Sequence, residues 1–140
     1  MQRWLLKFAP FRFSWADCLR RGRFEVYGVR SAQARNSLVC MQVGDEVLFY
    51  HSQQEQAIVG RLRVHETAHP DPTTVDARWL SVTLVPIAAL ARPLPLAELR
   101  TVPALAGLGL LRQPRLAVMP LTETEYQTLL TLSEQPTPPA

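Results

Sequence analysis

Lysine is nearly missing from this chain. Of its 15 lysine and arginine residues only Lys7 is a lysine, so the positive charge rests on guanidinium groups, which grip phosphate and stack on planar rings. The formal net charge is only +3. That is compatible with a nucleic-acid partner and equally with a GC-rich coding bias toward Arg, Ala, Leu and Pro, so charge alone assigns no function. Long apolar runs are also absent. Nothing approaches the ~20 residues needed to cross a bilayer, and the run that starts at Trp4 is interrupted by Lys7. Neither a membrane span nor a signal peptide is expected, and the chain reads as cytoplasmic.

Cysteine is scarce. Cys18 and Cys40 are far apart, in predicted helices, without the spacing of a zinc or redox centre, and are expected to be two buried, reduced thiols. The six glycines are scattered, and Gly107-Leu108-Gly109 lacks a third glycine at a helix start, so nucleotide hydrolysis on a phosphate loop is excluded. Histidine is limited to three residues. His65 and His69 have the spacing of one helical face, with Asp71 nearby, but Pro70 and Pro72 forbid a helix there. They read as solvent-facing loop histidines, and neither a metal nor a cofactor is called for.

A chain of 140 residues with 47% hydrophobic composition can bury one ordinary core. Residues 1–133 are expected to form a single domain, and residues 134–140, rich in proline without an apolar anchor, a frayed tail. Trp4, Leu6 and Phe8 alternate with Leu5 and Lys7, which predicts a first strand ended by Pro10. Ser14 and Asp17 make an N-terminal cap pair, and Gly22 a stop, for a helix between them. Arg20, Arg21 and Arg23 crowd its end, where they complement the helix dipole or contact phosphate. Residues 31–41 predict a second helix with Ala34, Leu38 and Met41 on its apolar stripe. Strands follow at 47–50, 58–64 and 79–88, the last with Pro86 at an edge or bulge, and 69–73 reads as a loop. A short helical turn at 96–99 and extended chain at 116–119 precede a final helix capped by Thr122 and Glu125. Several non-repeating strands with helices before, between and after them predict an α+β fold with a curved or barrel-like antiparallel sheet and peripheral helices.

Polar side chains crowd the junctions of residues 28–52. Gly28-Val29-Arg30 leads into Gln33-Ala34-Arg35-Asn36, and a strand ends in Phe49-Tyr50-His51-Ser52. Recognising an extruded nucleobase takes apolar walls, a few fixed donors and acceptors, and cations for the flanking phosphates. Tyr50, His51, Ser52, Arg30, Gln33, Arg35, Asn36, Arg112 and Arg115 supply those types. Phe49 belongs to the core on this reading. The alternative for the others is structural: His51 satisfying backbone groups, Ser52 capping a turn, Arg35 and Asn36 bonding loop carbonyls. His51 and Ser52 are adjacent on a strand and face opposite sides, so they do not form a base–nucleophile pair, and no enzyme is expected.

These strings resemble the EVE domain family, a member of the PUA-like group. The resemblance runs in order through Trp4-Leu5-Leu6-Lys7 with Pro10, Gly28-Val29-Arg30, Gln33-Ala34-Arg35-Asn36, Gly44-Asp45, Leu48-Phe49-Tyr50-His51-Ser52, Ile58-Val59-Gly60 and Pro70-Asp71-Pro72-Thr73. It ends with Leu110-Leu111-Arg112-Gln113, Arg115-Leu116 and Val118-Met119-Pro120. It implies a PUA-like β-barrel with surrounding helices and a non-enzymatic module that reads nucleic acid, particularly modified bases such as methylated cytosine in DNA. The implied pocket lies between residues 28–36 and 49–52. Arg30, Arg35 and Arg112 would take phosphate or a base edge, and Tyr27, Tyr50 and His51 the base, with Gly28, Val29, Gln33, Asn36, Ser52 and Arg115 around them. The chain departs from the family pattern at Phe8-Ala9 in place of Ser-Glu, at Val26-Tyr27 in place of Trp-Asp, and at Ser31-Ala32 in place of Asn and an aromatic residue. Phe8 and Tyr27 then either rebuild an aromatic pocket or fill it. In the second case the module would instead bind a protein or a small ligand.

Overall fold

The structure, a computed structural model, describes residues 1–137. Its elements are β1 (Arg3–Phe8), α1 (Trp15–Arg21), β2 (Phe24–Glu25), α2 (Ala32–Cys40), β3 (Glu46–His51), β4 (Ala57–Pro70), β5 (Leu80–Pro95), α3 (Leu96–Leu99), α4 (Gly109–Arg112), β6 (Val118–Leu121) and α5 (Glu123–Ser133). The strands make one sheet in the order β2-β5-β4-β3-β1-β6.

The expected antiparallel barrel is corrected to a mixed sheet. β1 runs parallel to β3, from Arg3 opposite Glu46 to Phe8 opposite His51, and the edge strands β2 and β6 do not pair with each other. Parallel pairing needs a long crossover, and the segment holding α1, β2 and α2 supplies it. Curvature comes from β4 and β5, whose register slips at four places, one of them where Leu62 meets Pro86.

Helix starts and stops follow the local chemistry. Ser14 and Asp17 cap α1 reciprocally, and Gly22, at φ 76°, closes it with an N–H donated to the Cys18 carbonyl. Thr122 and Glu125 do the same for α5, and Ser31 Oγ accepts the Ala34 amide at the start of α2. Each such cap stabilises its helix by about 1 kcal/mol. Ala34, Leu38 and Met41 are buried as the stripe predicts.

Long-range packing departs from the sequence reading at identifiable places. β1 does not alternate: Trp4, Leu5, Leu6 and Phe8 are all buried, because the strand lies between β3 and β6 with both faces covered. Trp4 Nε1 donates to buried Asp45 Oδ2 at 3.1 Å, and Asp45 also accepts the Gln2 and Gln42 amides, which fastens the α2–β3 turn to β1. β6 continues through Pro120, which an edge strand tolerates.

The predicted loop at 69–73 is corrected at its start, since His69 and Pro70 end β4, paired with Ser81 and Leu80. His65 is exposed on the strand, while His69 faces the Thr67 carbonyl and Glu25 Oε1 rather than solvent alone. Of the two thiols expected inside, Cys18 is buried and pushed up to about 11 by desolvation, but Cys40 is exposed, because it lies off the buried stripe of α2. The chain stays fastened past residue 133. Glu134 and Gln135 continue the backbone bonds of α5, and the Gln135 carbonyl accepts from Arg92 Nε at 2.7 Å. Residues 138–140 of the expected tail lie outside the described residues. Among the described residues no helix is long and apolar enough to cross a membrane, and no cluster of three His, Cys, Asp or Glu side chains is placed to hold a metal ion.

Aromatic side chains gather where α1 meets the sheet. Phe24 contacts Phe8 at 5.0 Å, Phe13 at 4.3 Å and Phe49 at 5.4 Å between ring centroids, and Trp15 lies 6.5 Å from Phe49. Gly60 on β4 is the floor under Trp15. A Cβ there would lie 2.5 Å from two carbons of the indole ring. Gly60→Ala is expected to displace the ring and cost about 1–3 kcal/mol, read as a lower urea midpoint with an altered Trp emission. An unchanged midpoint would show that α1 yields freely.

Candidate functional site

The residues singled out from the sequence separate into two neighbourhoods, with His51 in the interior and Arg112 apart from both. In the first, Asp71, only 1% exposed, collects donors from three residues on two segments. Its Oδ2 accepts the Gly28 amide and Arg30 Nη1, each at 2.9 Å, and its Oδ1 accepts the Thr73 amide at 2.8 Å and hydroxyl at 2.7 Å. Burial alone would raise the carboxyl pKa. The hydrogen bonds from Thr73, Arg30 and the Gly28 amide outweigh it and hold the pKa at about 2. Arg30 also donates to the Val29 carbonyl at 3.1 Å. The guanidinium carbons of Arg30 and Arg35 lie 5.8 and 5.9 Å from the Trp79 ring centroid, and Arg35 Nη2 donates to Asn36 Oδ1 at 3.4 Å. Val29 is buried and serves packing. Sequence reasoning omitted Asp71 and Trp79 from the site. The string Pro70-Asp71-Pro72-Thr73 was the available signal for the first, and nothing marked the second.

Beside this hub the loop after β1 crosses Tyr27. The Phe8 and Tyr27 rings meet edge to face at 5.1 Å, and the Arg12 guanidinium lies over both, 4.5 Å from Phe8 and 4.8 Å from Tyr27. Gly28, at φ +78°, lets that guanidinium sit against the backbone, since a Cβ there would fall 2.5 Å from Arg12 Nη2. Phe8 and Tyr27 therefore make an aromatic corner that Arg12 covers.

The second neighbourhood is a group of clefts. One of about 550 Å³ runs between Phe8, Phe11 and Arg12 on one side, Ser52 and Gln53 on another, and Pro114 to Ala117 on the third. A second, about 410 Å³, shares Pro114, Arg115 and Leu116 with it and reaches Ser31 and Gln33. A third, about 300 Å³, shares Lys7, Ser52, Gln53 and Pro114 and is walled by Tyr50, Gln56, Arg100 and Leu110. Lys7, Arg12, Arg100 and Arg115 line these clefts, and among the described residues no Asp or Glu does. Burial lowers the Lys7 pKa, and its ammonium donates to the Pro114 carbonyl. Burial raises the Tyr50 pKa, opposed by Arg100. Arg12, Arg100 and Arg115 have no carboxylate partner among the described residues.

His51 belongs to neither neighbourhood. It is 6% exposed, its Nε2 accepts the Trp15 amide at 2.9 Å, and its Nδ1 lies 2.7 Å from Glu55 Oε2. Nε2 is thus the acceptor and Nδ1 carries the proton. The imidazole holds the first amide of α1, and neither partner is a nucleophile. Phe49, beneath it, is fully buried. Arg112 is exposed at the end of α4. The structure thus brings Gln33, Tyr50, Ser52 and Arg115 to connected clefts, gathers Gly28, Arg30, Arg35 and Asn36 around Asp71 and Trp79, sets Tyr27 beside Phe8 under Arg12, and keeps His51 inside.

Cations without acids, amide side chains from Gln33, Gln53, Gln56 and Gln113, and two serine hydroxyls suit a polyanion whose planar groups present mixed donors and acceptors. Comparison with known proteins gives the same direction. The EVE domain model matches residues 2–132. Thymocyte nuclear protein 1 of Mus musculus is 34% identical over 130 residues, 76% of this chain and 58% of that protein, so the chain spans little more than half of it. A crystal structure of an Agrobacterium tumefaciens protein is 34% identical with a TM-score of 0.93, covering 99% of this chain and 97% of the other. The human THYN1 protein, solved in complex with 5-methylcytosine-containing DNA, is 29% identical with a TM-score of 0.91, covering 98% and 100%. With its strands, helices and ordered motifs matched over nearly its whole length, the chain belongs to the EVE domain family.

Proposed function

We propose that residues 1–133 form one non-enzymatic, cytoplasmic EVE module, its sheet an opened counterpart of the PUA-like barrel, which reads modified bases in nucleic acid. The observation that carries this is the acid-free set of clefts lined by Lys7, Arg12, Arg100 and Arg115. The human relative bound to 5-methylcytosine DNA supports DNA as the ligand and methylated cytosine as the base. On this reading Arg115 and Arg12 take phosphates, Ser52, Gln53 and Gln33 meet base edges, and Arg30, Arg35 and Arg112 extend the cationic surface. Tyr50 and Phe8 are the aromatic walls of the clefts, with Tyr27 behind Arg12. His51 acts through position, holding α1 and with it the loop that bears Arg12.

Fluorescence anisotropy with single-stranded and duplex oligonucleotides, unmodified or carrying 5-methylcytosine, tests the reading. Saturable binding that weakens with salt and favours the modified strand is expected. No saturable binding at low ionic strength would overturn it. A second reading, a protein-interaction or small-ligand module, is favoured by Arg12 covering Phe8 and Tyr27. That reading predicts no oligonucleotide binding by the wild type, and none gained by Arg12→Ala.

A further inference from the structure

Phe11 stands in water where the chain has gone to some trouble to fix it. It is 76% exposed, and among the described residues it is the one aromatic side chain among the exposed large hydrophobics. The turn beneath it is closed twice, since the Ala9 carbonyl accepts the amides of both Arg12 and Phe13, at 3.0 and 3.2 Å. Both ends are anchored. Ala9 and Phe13 are buried, and Phe13 stacks on Phe24 at 4.3 Å with 22° between the ring planes. A ring at such a tip gains nothing from the fold, and turn tips ordinarily carry Gly, Asn, Asp or Ser. Single exposed hydrophobics are common on protein surfaces. Leu19, Val39, Val43 and Val75 are of that kind and line none of the acid-free clefts. Phe11 lines the 550 Å³ cleft together with Lys7, Arg12, Arg115, Ser52 and Gln53.

An apolar ring on a doubly closed turn, in a cleft that also holds Lys7, Arg12 and Arg115, matches a duplex partner, in which phosphates flank a stack of bases. We propose that Phe11 is a stacking wedge: its ring enters the duplex at the step from which a base is drawn out, and takes that base's place in the stack. The role rests on the nucleic-acid reading above. It answers a need that reading creates, because extruding a base breaks two stacking contacts, and an inserted apolar side chain restores part of them. A single strand has no such step to fill, so the wedge separates the two forms of DNA.

The test uses the full chain and one 5-methylcytosine sequence, as a single strand and as a duplex, with 2-aminopurine beside the modified base. Phe11→Ala is expected to weaken duplex binding by at least about tenfold, in keeping with the worth of one stacked base. It should also abolish the rise in 2-aminopurine emission, leaving single-strand affinity and the salt dependence close to wild type. Phe11→Trp should restore duplex binding. Equal duplex affinity and emission for wild type and Phe11→Ala would overturn the wedge alone, as would equal losses on single strand and duplex. A wild-type chain that binds neither form overturns the nucleic-acid reading itself and removes the wedge with it. Because Phe11 is exposed, loss of the fold does not confuse the outcome, and unchanged thermal unfolding of Phe11→Ala checks this directly.

Discussion

Asp71→Ala is expected to lower stability by about 2–4 kcal/mol, because it strips acceptors from the Gly28 and Thr73 amides and leaves Arg30 without its partner. For a domain of this size the melting temperature should fall by roughly 6–15 °C, measured by circular dichroism. A Tm within a degree or two of wild type would show that the hub carries no stability. Asp71→Asn isolates the charge. The folded carboxyl titrates at about 2 against an ordinary 3.8, so the stability that its ionised form supplies is complete above the ordinary aspartate range and drains away as pH falls toward 2. Wild type should lose stability through that window more steeply than Asp71→Asn, which begins lower at neutral pH and lacks this component. Parallel curves for the two proteins would remove Asp71 as the cause.

The second large effect concerns binding. Replacing both Arg12 and Arg115 by alanine is expected to weaken DNA binding roughly a hundredfold at low salt and to reduce the slope of log K against log salt by about two, one for each lost phosphate contact. Thermal stability should fall only slightly, since neither guanidinium has a carboxylate partner among the described residues and the loss is confined to the cover of Arg12 over Phe8 and Tyr27, about 1 kcal/mol. Arg12→Ala alone has a distinct signature. It uncovers Phe8 and Tyr27, so a weaker salt slope accompanied by greater discrimination for the modified base would place the base on those rings. Affinity lost with the slope unchanged would instead assign Arg12 a packing role.

What could be read from the sequence was what neighbouring residues decide among themselves. Ser14 with Asp17 and Thr122 with Glu125 fix helix starts within one turn of chain, and Gly22 fixes a stop, so those elements fell where expected. The stripe Ala34, Leu38, Met41 identified its own buried face. Features set by distant partners stayed hidden. The parallel pairing of β1 with β3 depends on how α1 and α2 carry the chain back, which no periodicity encodes. Cys40 could not be told from Cys18 without knowing which side of α2 meets the sheet. The ordered strings carried the family membership because each is tied to a turn or a strand end, which fixes its place in the fold.

The site was less legible for a related reason. His51 looked like a ligand contact because histidine at a strand end is chemically versatile, yet its role is decided by Trp15 and Glu55, one of them 36 residues earlier in the chain. Arg12 carried no motif, and its importance emerges only when Phe8, Tyr27 and Gly28 are folded beneath it. Asp71 was visible as part of a string, but its task of joining Gly28 and Arg30 to Thr73 belongs to the tertiary structure.

The position of β1 bears on how the molecule is made. β1 precedes both of its sheet neighbours in the chain: Arg3 faces Glu46 on one side and Leu121 on the other. Its apolar residues must wait, unpaired on one edge, until β6 has been synthesised more than a hundred residues later, and such waiting edges are where nascent chains associate wrongly. The β3–β4–β5 meander, closed by nearer contacts, can assemble earlier and offer β1 a template. Lys7 within that strand and Pro120 within its last partner are the residue types that discourage edge-to-edge pairing between separate chains, so the same two residues that shape the finished sheet also guard the interval before it closes.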